Sequence, residues 1–228
     1  TRFIQVAFAL VGMGLLVSSG VHAQNRQVRS WGYGLTGQIG DGNALNTSTP
    51  TMATGLSNVL QMAAGSDHSL ALKTNGTVWA WGSNQYGQLG ISNTSTQIYP
   101  SFVHRIDGHF SKARSVTVGA GFVCARFGDD SAWCWGRNDR GQLGSGNLRL
   151  LTAPNPVLID SATRLGRIVS ISAGTSHACA VMKQSAASSV VYCWGDNRSA
   201  QLANGLALFR QWATLTRSLP SDFTPTSV

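Results

Sequence analysis

Apolar residues recur at every second position in short runs along most of this chain, the period of strands that bury one face. Met62 and Ala64, Val116 and Val118, and Ile171 and Ala173 alternate with small or polar neighbours, and the runs end in Gly65, Gly119 and Gly174. A second apolar run follows each glycine. In the first instance it is His68-Ser69-Leu70-Ala71-Leu72, and after Asn75-Gly76 comes a third run, Thr77-Val78-Trp79-Ala80-Trp81. Asn-Gly between two such runs predicts a hairpin with a type I′ turn, because it supplies positive φ angles. The corresponding turns hold Gly128-Asp129-Asp130 and a longer loop from Ser185 to Ser189. The pairs Trp79/Trp81, Trp133/Trp135 and Tyr192/Trp194 stand two residues apart, hence on one strand face, and are predicted to pack between neighbouring sheets.

These runs belong to a repeat. Trp31-Gly32, Trp81-Gly82, Trp135-Gly136 and Trp194-Gly195 are separated by 50, 54 and 59 residues, room for one four-stranded unit each. The phrase continues as Gly37-Gln38-Ile39-Gly40, Gly87-Gln88-Leu89-Gly90 and Gly141-Gln142-Leu143-Gly144, then decays to Ala200-Gln201-Leu202-Ala203. Pro50, Pro100 and Pro154 all stand 18 residues after the Trp-Gly glycine, where the fourth copy has Ala213. The order of apolar strand, Ala-Gly-x-x-His, apolar hairpin and Trp-Gly-x-Asn-x-x-Gly-Gln-Leu-Gly resembles the repeat of the regulator of chromosome condensation family over about Arg29 to Gly205. That resemblance implies an all-β protein, a β-propeller of about seven blades when complete. Three full units and an opening half-unit are visible here, so the expectation is an incomplete ring of three to four blades. Residues 24–205 are expected to form the propeller and 206–228 an unfinished last repeat or tail.

The first 23 residues read differently. Phe3 to Val17 is apolar apart from Gln5, Gly12 and Gly14, and Val21-His22-Ala23 offers small residues for cleavage before Gln24. This is the pattern of a secretory signal peptide over 1–23, and the apolar run is shorter than the ~20 residues of a spanning helix. A secreted or periplasmic protein without a membrane span in its mature chain is therefore expected.

Cysteine placement agrees with that compartment. Cys124 and Cys179 take the strand position of Leu70, and Cys134 and Cys193 take that of Ala80, so each repeat has both cysteines or neither. The paired replacement argues for Cys124–Cys134 and Cys179–Cys193 bridges, although four cysteines allow three pairings. Zinc is the competing use; no Cys-x-x-Cys spacing supports it, and no metal or other cofactor is expected. Without the leader the chain holds 16 basic and nine acidic residues. The bases are dispersed, with mild clusters at His104, Arg105, His109, Lys112 and Arg114 and at Arg164 and Arg167, and none resembles a nucleic-acid-binding arm.

Catalytic chemistry finds little to work with, and no catalytic residue is assigned. His68 and His177 share a repeat position that Phe122 fills in the third copy, and the acids stand in turns, as at Asp41, Asp129, Asp130, Asp139 and Asp196. No Gly-x-Ser-x-Gly elbow or phosphate-binding loop occurs. The expectation is an exported, non-catalytic interaction module with a protein or envelope partner, and not an enzyme. The best candidate binding segment is Tyr99, Phe102, His104, Arg105, His109 and Phe110. The alternative is a secreted enzyme inhibitor, since the resemblance extends to a propeller that inhibits β-lactamases. Guanine-nucleotide exchange, also implied by the resemblance, is opposed by export and disulfides. Open blade edges are expected to invite self-association.

Overall fold

The computed structural model describes residues 2–6, 13–19, 27–104, 112–186, 188–206 and 208–216, the first two segments as backbone strands. Each repeat folds as a four-stranded antiparallel meander, and there are four such sheets among the described residues. The second sheet comprises β5 (Val59–Ala64), β6 (His68–Lys73), β7 (Val78–Gly82) and β8 (Gln97–Phe102). The third comprises β9 (Ala113–Val118), β10 (Phe122–Phe127), β11 (Ala132–Gly136) and β12 (Leu151–Pro156). The fourth comprises β13 (Ile168–Ala173), β14 (His177–Lys183), β15 (Ser189–Gly195) and β16 (Arg210–Leu215). Pro50, Pro100 and Pro154 fall on the last strand of their sheets, an edge that tolerates a missing N–H.

The core lies between sheets. Leu70, Leu72 and Ala80 of the second sheet pack with Val116, Val123, Ala125, Trp133 and Trp135 of the third. On the opposite face, Met62, Ala71 and Trp81 pack with Val28 and Ala53 of the first repeat. Both faces of the middle strands are thereby buried, which accounts for their near-continuous apolar character. The first strands of neighbouring blades are also joined through side chains. Gln61 Nε2 donates to the Val116 carbonyl at 2.9 Å and its Oε1 accepts from the Val116 amide at 3.2 Å. Thr117 Oγ1 accepts from the Ala173 amide at 3.0 Å.

Three findings refine the sequence reading. The segment 206–228, expected as an unfinished repeat, contains β16, which pairs with β15 through Cys193↔Thr214 in the register of Ala80↔Ser101. Ala213 is buried there, so the missing proline did not prevent a strand. The first sheet consists of β1 (Arg2–Val6), β2 (Met13–Ser19), β3 (Gln27–Gly32) and β4 (Thr47–Met52). The residues read as a leader thus supply two strands, with Gly14↔Trp31 in the register of Ser69↔Trp81. A run of apolar and small residues with β-branched members satisfies a signal peptide and a pair of strands alike.

The Asn75-Gly76 turn is not of type I′. Gly76 has φ 81° while Asn75 is not in the positive-φ region, and the Gly76 amide donates to the Lys73 carbonyl at 2.8 Å. This is a three-residue loop with a single left-handed residue at its end, and Asp130 (φ 58°) occupies the same place in the third blade.

Candidate functional site

Two sets of connections project from this frame. One side carries the loops between first and second and between third and fourth strands; the other carries the hairpin turns and the links from blade to blade. What fixes the loops on the first side is written in the repeat. The Trp81 indole N–H donates to the Gln38 carbonyl at 2.8 Å, Trp135 to Gln88 at 3.0 Å and Trp194 to Gln142 at 2.9 Å. These three Trp-Gly tryptophans therefore latch onto the Gly-Gln-Leu/Ile-Gly loop of the preceding blade. The Asn of each phrase braces the loop that follows. Asn138 Nδ2 donates to the carbonyls of Asn147 and Arg149, each at 2.9 Å, and its Oδ1 accepts from the Leu143 amide at 3.1 Å. Asn84 does the same for Asn93, Ser95 and Leu89. The first blade has Gly34 instead, because a Cβ there would fall 1.9 Å from the Leu45 carbonyl oxygen.

Two charged pairs on this side are tied into turns. Arg137 forms a forked pair with Asp139 at 2.7 and 2.8 Å and stacks on Tyr86 at 5.2 Å; Arg198 and Asp196 pair likewise at 2.9 Å. The Arg198 hydrogen bond holds the Asp196 carboxyl below its ordinary range. His177 is pushed down by burial, with Asp196 opposing.

Of the six residues of the expected binding segment, Tyr99, Phe102 and His104 are among the described residues. Tyr99 is half exposed on β8 and packs over Gly42, where a Cβ would come 2.3 Å from its hydroxyl. Phe102, at the far end of the strand, stands edge-on to Trp79 at 5.9 Å and to His104 at 4.8 Å. Phe102 is paired with Trp79, which packs on the cluster shared with the first blade, and Tyr99 covers Gly42 of that blade, so both are turned toward the first blade from an irregular strand. Arg105, His109 and Phe110 lie outside the described residues.

The cysteines join directly opposed residues of adjacent strands. Cys124 pairs with Cys134 and Cys179 with Cys193, with S–S distances of 2.01 and 2.10 Å.

A cavity of about 390 Å³ opens on the hairpin side where the third and fourth blades meet, and sequence reasoning missed it. Its lining includes Arg126, Asp130, Arg167, Val169, Lys183 and Ala186. Arg126 Nη1 donates to the Ile168 and Val169 carbonyls, both at 2.8 Å, and lies 3.8 Å from Asp130. Its position in the repeat is that of Leu72 and Val181, both fully buried aliphatics. A charge at an aligned apolar position was the available signal.

Two family models described as regulator of chromosome condensation (RCC1) repeat match the chain, one over residues 27–72, 75–126 and 129–181, the other over 59–88, 113–142 and 168–201. The human E3 ubiquitin-protein ligase HERC2 is 33% identical over 184 residues, 78% of this chain and 4% of HERC2. The ultraviolet-B receptor UVR8 of Arabidopsis thaliana is 30% identical over 181 residues, 78% of this chain and 39% of the receptor. The chain thus spans a minor part of either relative. Among solved structures, yeast RCC1 (Prp20) bound to Kap60 matches with a TM-score of 0.74 at 21% identity, over 96% of this chain and 50% of that one. Human WBSCR16 matches with a TM-score of 0.73 at 25% identity, over 95% of this chain and 53% of that one. Repeats matched from residue 27 to 181 and sheets arranged as in these propellers give one result: the chain belongs to the regulator of chromosome condensation (RCC1) repeat family.

Proposed function

We propose that this chain is an exported, non-catalytic interaction module that binds a protein partner through its loops. The observation that carries the reading is the threefold indole-to-carbonyl latch, which holds each blade on the last and leaves the loop tips as the variable surface. Yeast RCC1, the similar propeller, is bound to Kap60 in its solved structure, which supports protein binding by such a frame. Export rests on the leader-like residues 1–23 and on four cysteines paired two by two.

One experiment addresses both halves. The chain is produced in a bacterium with its own leader, and the envelope fraction is analysed by intact mass after alkylation under non-reducing conditions. The expected product begins at Gln24 and has no alkylated cysteine. The same material, immobilised, is expected to capture a protein saturably, and Tyr99→Ser or Phe102→Ser to weaken capture at least tenfold. A cytoplasmic product with free thiols overturns export; no saturable protein partner overturns the module reading.

A further inference from the structure

The junction between the third and fourth blades departs from the repeat at three places together. Between the second and third blades the corresponding residues are Leu72, Gly76 and Lys112; here they are Arg126, Asp130 and Arg167. Each substitution is unfavourable by itself. Arg126 puts a guanidinium where an aliphatic side chain is wholly buried in the neighbouring blades, and its buried Nε has no hydrogen-bond partner. Asp130 (φ 58°) and Arg167 (φ 57°) hold left-handed backbone, which Gly76 adopts without a Cβ and which Asn58 (φ 57°) supplies at the place equivalent to Arg167. Non-glycine residues in that region cost of order 1 kcal/mol each and cluster where strain serves a site. All three line the same cavity, with Lys183 on its rim. Among the described residues, no hydrogen bond or ion pair engages the side chains of Arg167 or Lys183.

We infer that this junction is a binding site for a carboxylate carried beside an aliphatic group, as at the C-terminus of a polypeptide ending in an aliphatic residue. Arg126, Arg167 and Lys183 set against Asp129 and Asp130 give the lining a formal charge of +1, which matches a monoanion. A phosphate dianion meets the two aspartates and is disfavoured. Arg126 is anchored at the cavity: its Nη1 is held by the two β13 carbonyls, which fixes the guanidinium and leaves Nη2 as a donor not engaged by the described residues. Val169, 39% exposed, and Ala186 provide an apolar wall. The cavity, about 390 Å³, is at the lower end of the ~300–1,000 Å³ range of small-ligand pockets and accommodates a terminal residue. The inference rests on the interaction-module reading and names one chemical group that such a partner presents.

The test is titration of the whole oxidised chain, followed by NMR or calorimetry, with acetyl-Ala-Val bearing a free carboxylate, with its C-terminal amide, and with inorganic phosphate. The free acid is expected to bind saturably and at least tenfold more tightly than the amide or phosphate. Two variants borrow the residues of other blades, Arg126→Leu from Leu72 and Arg167→Asn from Asn58. Both are expected to weaken the acid at least tenfold, and Arg167→Asn to melt no lower than the parent, since Asn accepts the left-handed backbone more readily. Equal binding of acid and amide, tighter binding of phosphate, parent-like binding by Arg167→Asn, or no saturation at about 10 mM peptide each overturns the site. Protein capture by the parent that survives both variants removes this site while leaving the module reading intact; a parent chain that captures no protein saturably removes that reading.

Discussion

His68 shows most directly how burial sets chemistry at the scale of one residue. It is 1% exposed, neither ring nitrogen has a hydrogen-bond partner, and burial pushes its pKa down to about 4. Its ring fills the space above Gly65, where a Cβ would come 2.3 Å from Cε1, and Gly119 and Gly174 leave the same space for Phe122 and His177. The ring is neutral in the folded protein, whereas the unfolded chain titrates near the ordinary 6.5. Its contribution to stability is complete above about pH 6.5 and is lost as the pH falls toward 4, since the unfolded state then takes up a proton that the folded state refuses. Loss over that window is about 3 kcal/mol. His68→Phe, which installs the fully buried residue of the third blade, is expected to shrink the pH dependence of urea unfolding between pH 6.5 and 4, leaving the parts due to His177 and, toward pH 4, to Asp139 and Asp196. An unchanged slope would mean that His68 is not the buried neutral group.

Within an element, the asparagine of each Trp-Gly-x-Asn phrase connects turn to strand. Asn138 satisfies two loop carbonyls and one amide, and it is itself buried, so its removal leaves three backbone groups to find water. Asn138→Ala is expected to cost about 3 kcal/mol in chemical denaturation, with faster amide exchange over 143–149 than elsewhere. A cost below about 1 kcal/mol would show that solvent replaces those bonds freely. The disulfides act at the same scale. They join opposed strands, close short loops of sequence separation 10 and 14, and occupy places that Leu70 and Ala80 fill by packing alone.

For the whole molecule, the first blade determines how the chain behaves in solution. The leader-like residues and strands β1 and β2 are one stretch of sequence, so cleavage before Gln24 removes β2, one of the two partners of β3, and leaves that edge of β3 unpaired. An unpaired strand edge templates association. Light scattering of the span from Gln24 to Val228 is therefore expected to give a discrete dimer, and the full chain a monomer. A monomeric shorter span would show that the edge is covered from within the chain.

The amino-acid sequence by itself determined the blades. The strands of the second and third blades, their alternating faces and the opposed cysteine positions are legible because each rests on local period-two pattern and on punctuation by glycine and proline within one repeat, whereas β1, β2 and β16 are not. The hairpin of Asn75-Gly76 was legible as a turn but not as to type, since the flanking register chose the three-residue form. Only the tertiary structure decided what joins one repeat to the next. The tryptophan latches span 43, 47 and 52 residues, and Arg126 meets the Ile168 carbonyl across 42. Such contacts depend on how sheets stack face to face, which a local pattern does not encode. For the same reason Arg126, Asp130, Arg167 and Lys183, scattered through two repeats, line one cavity.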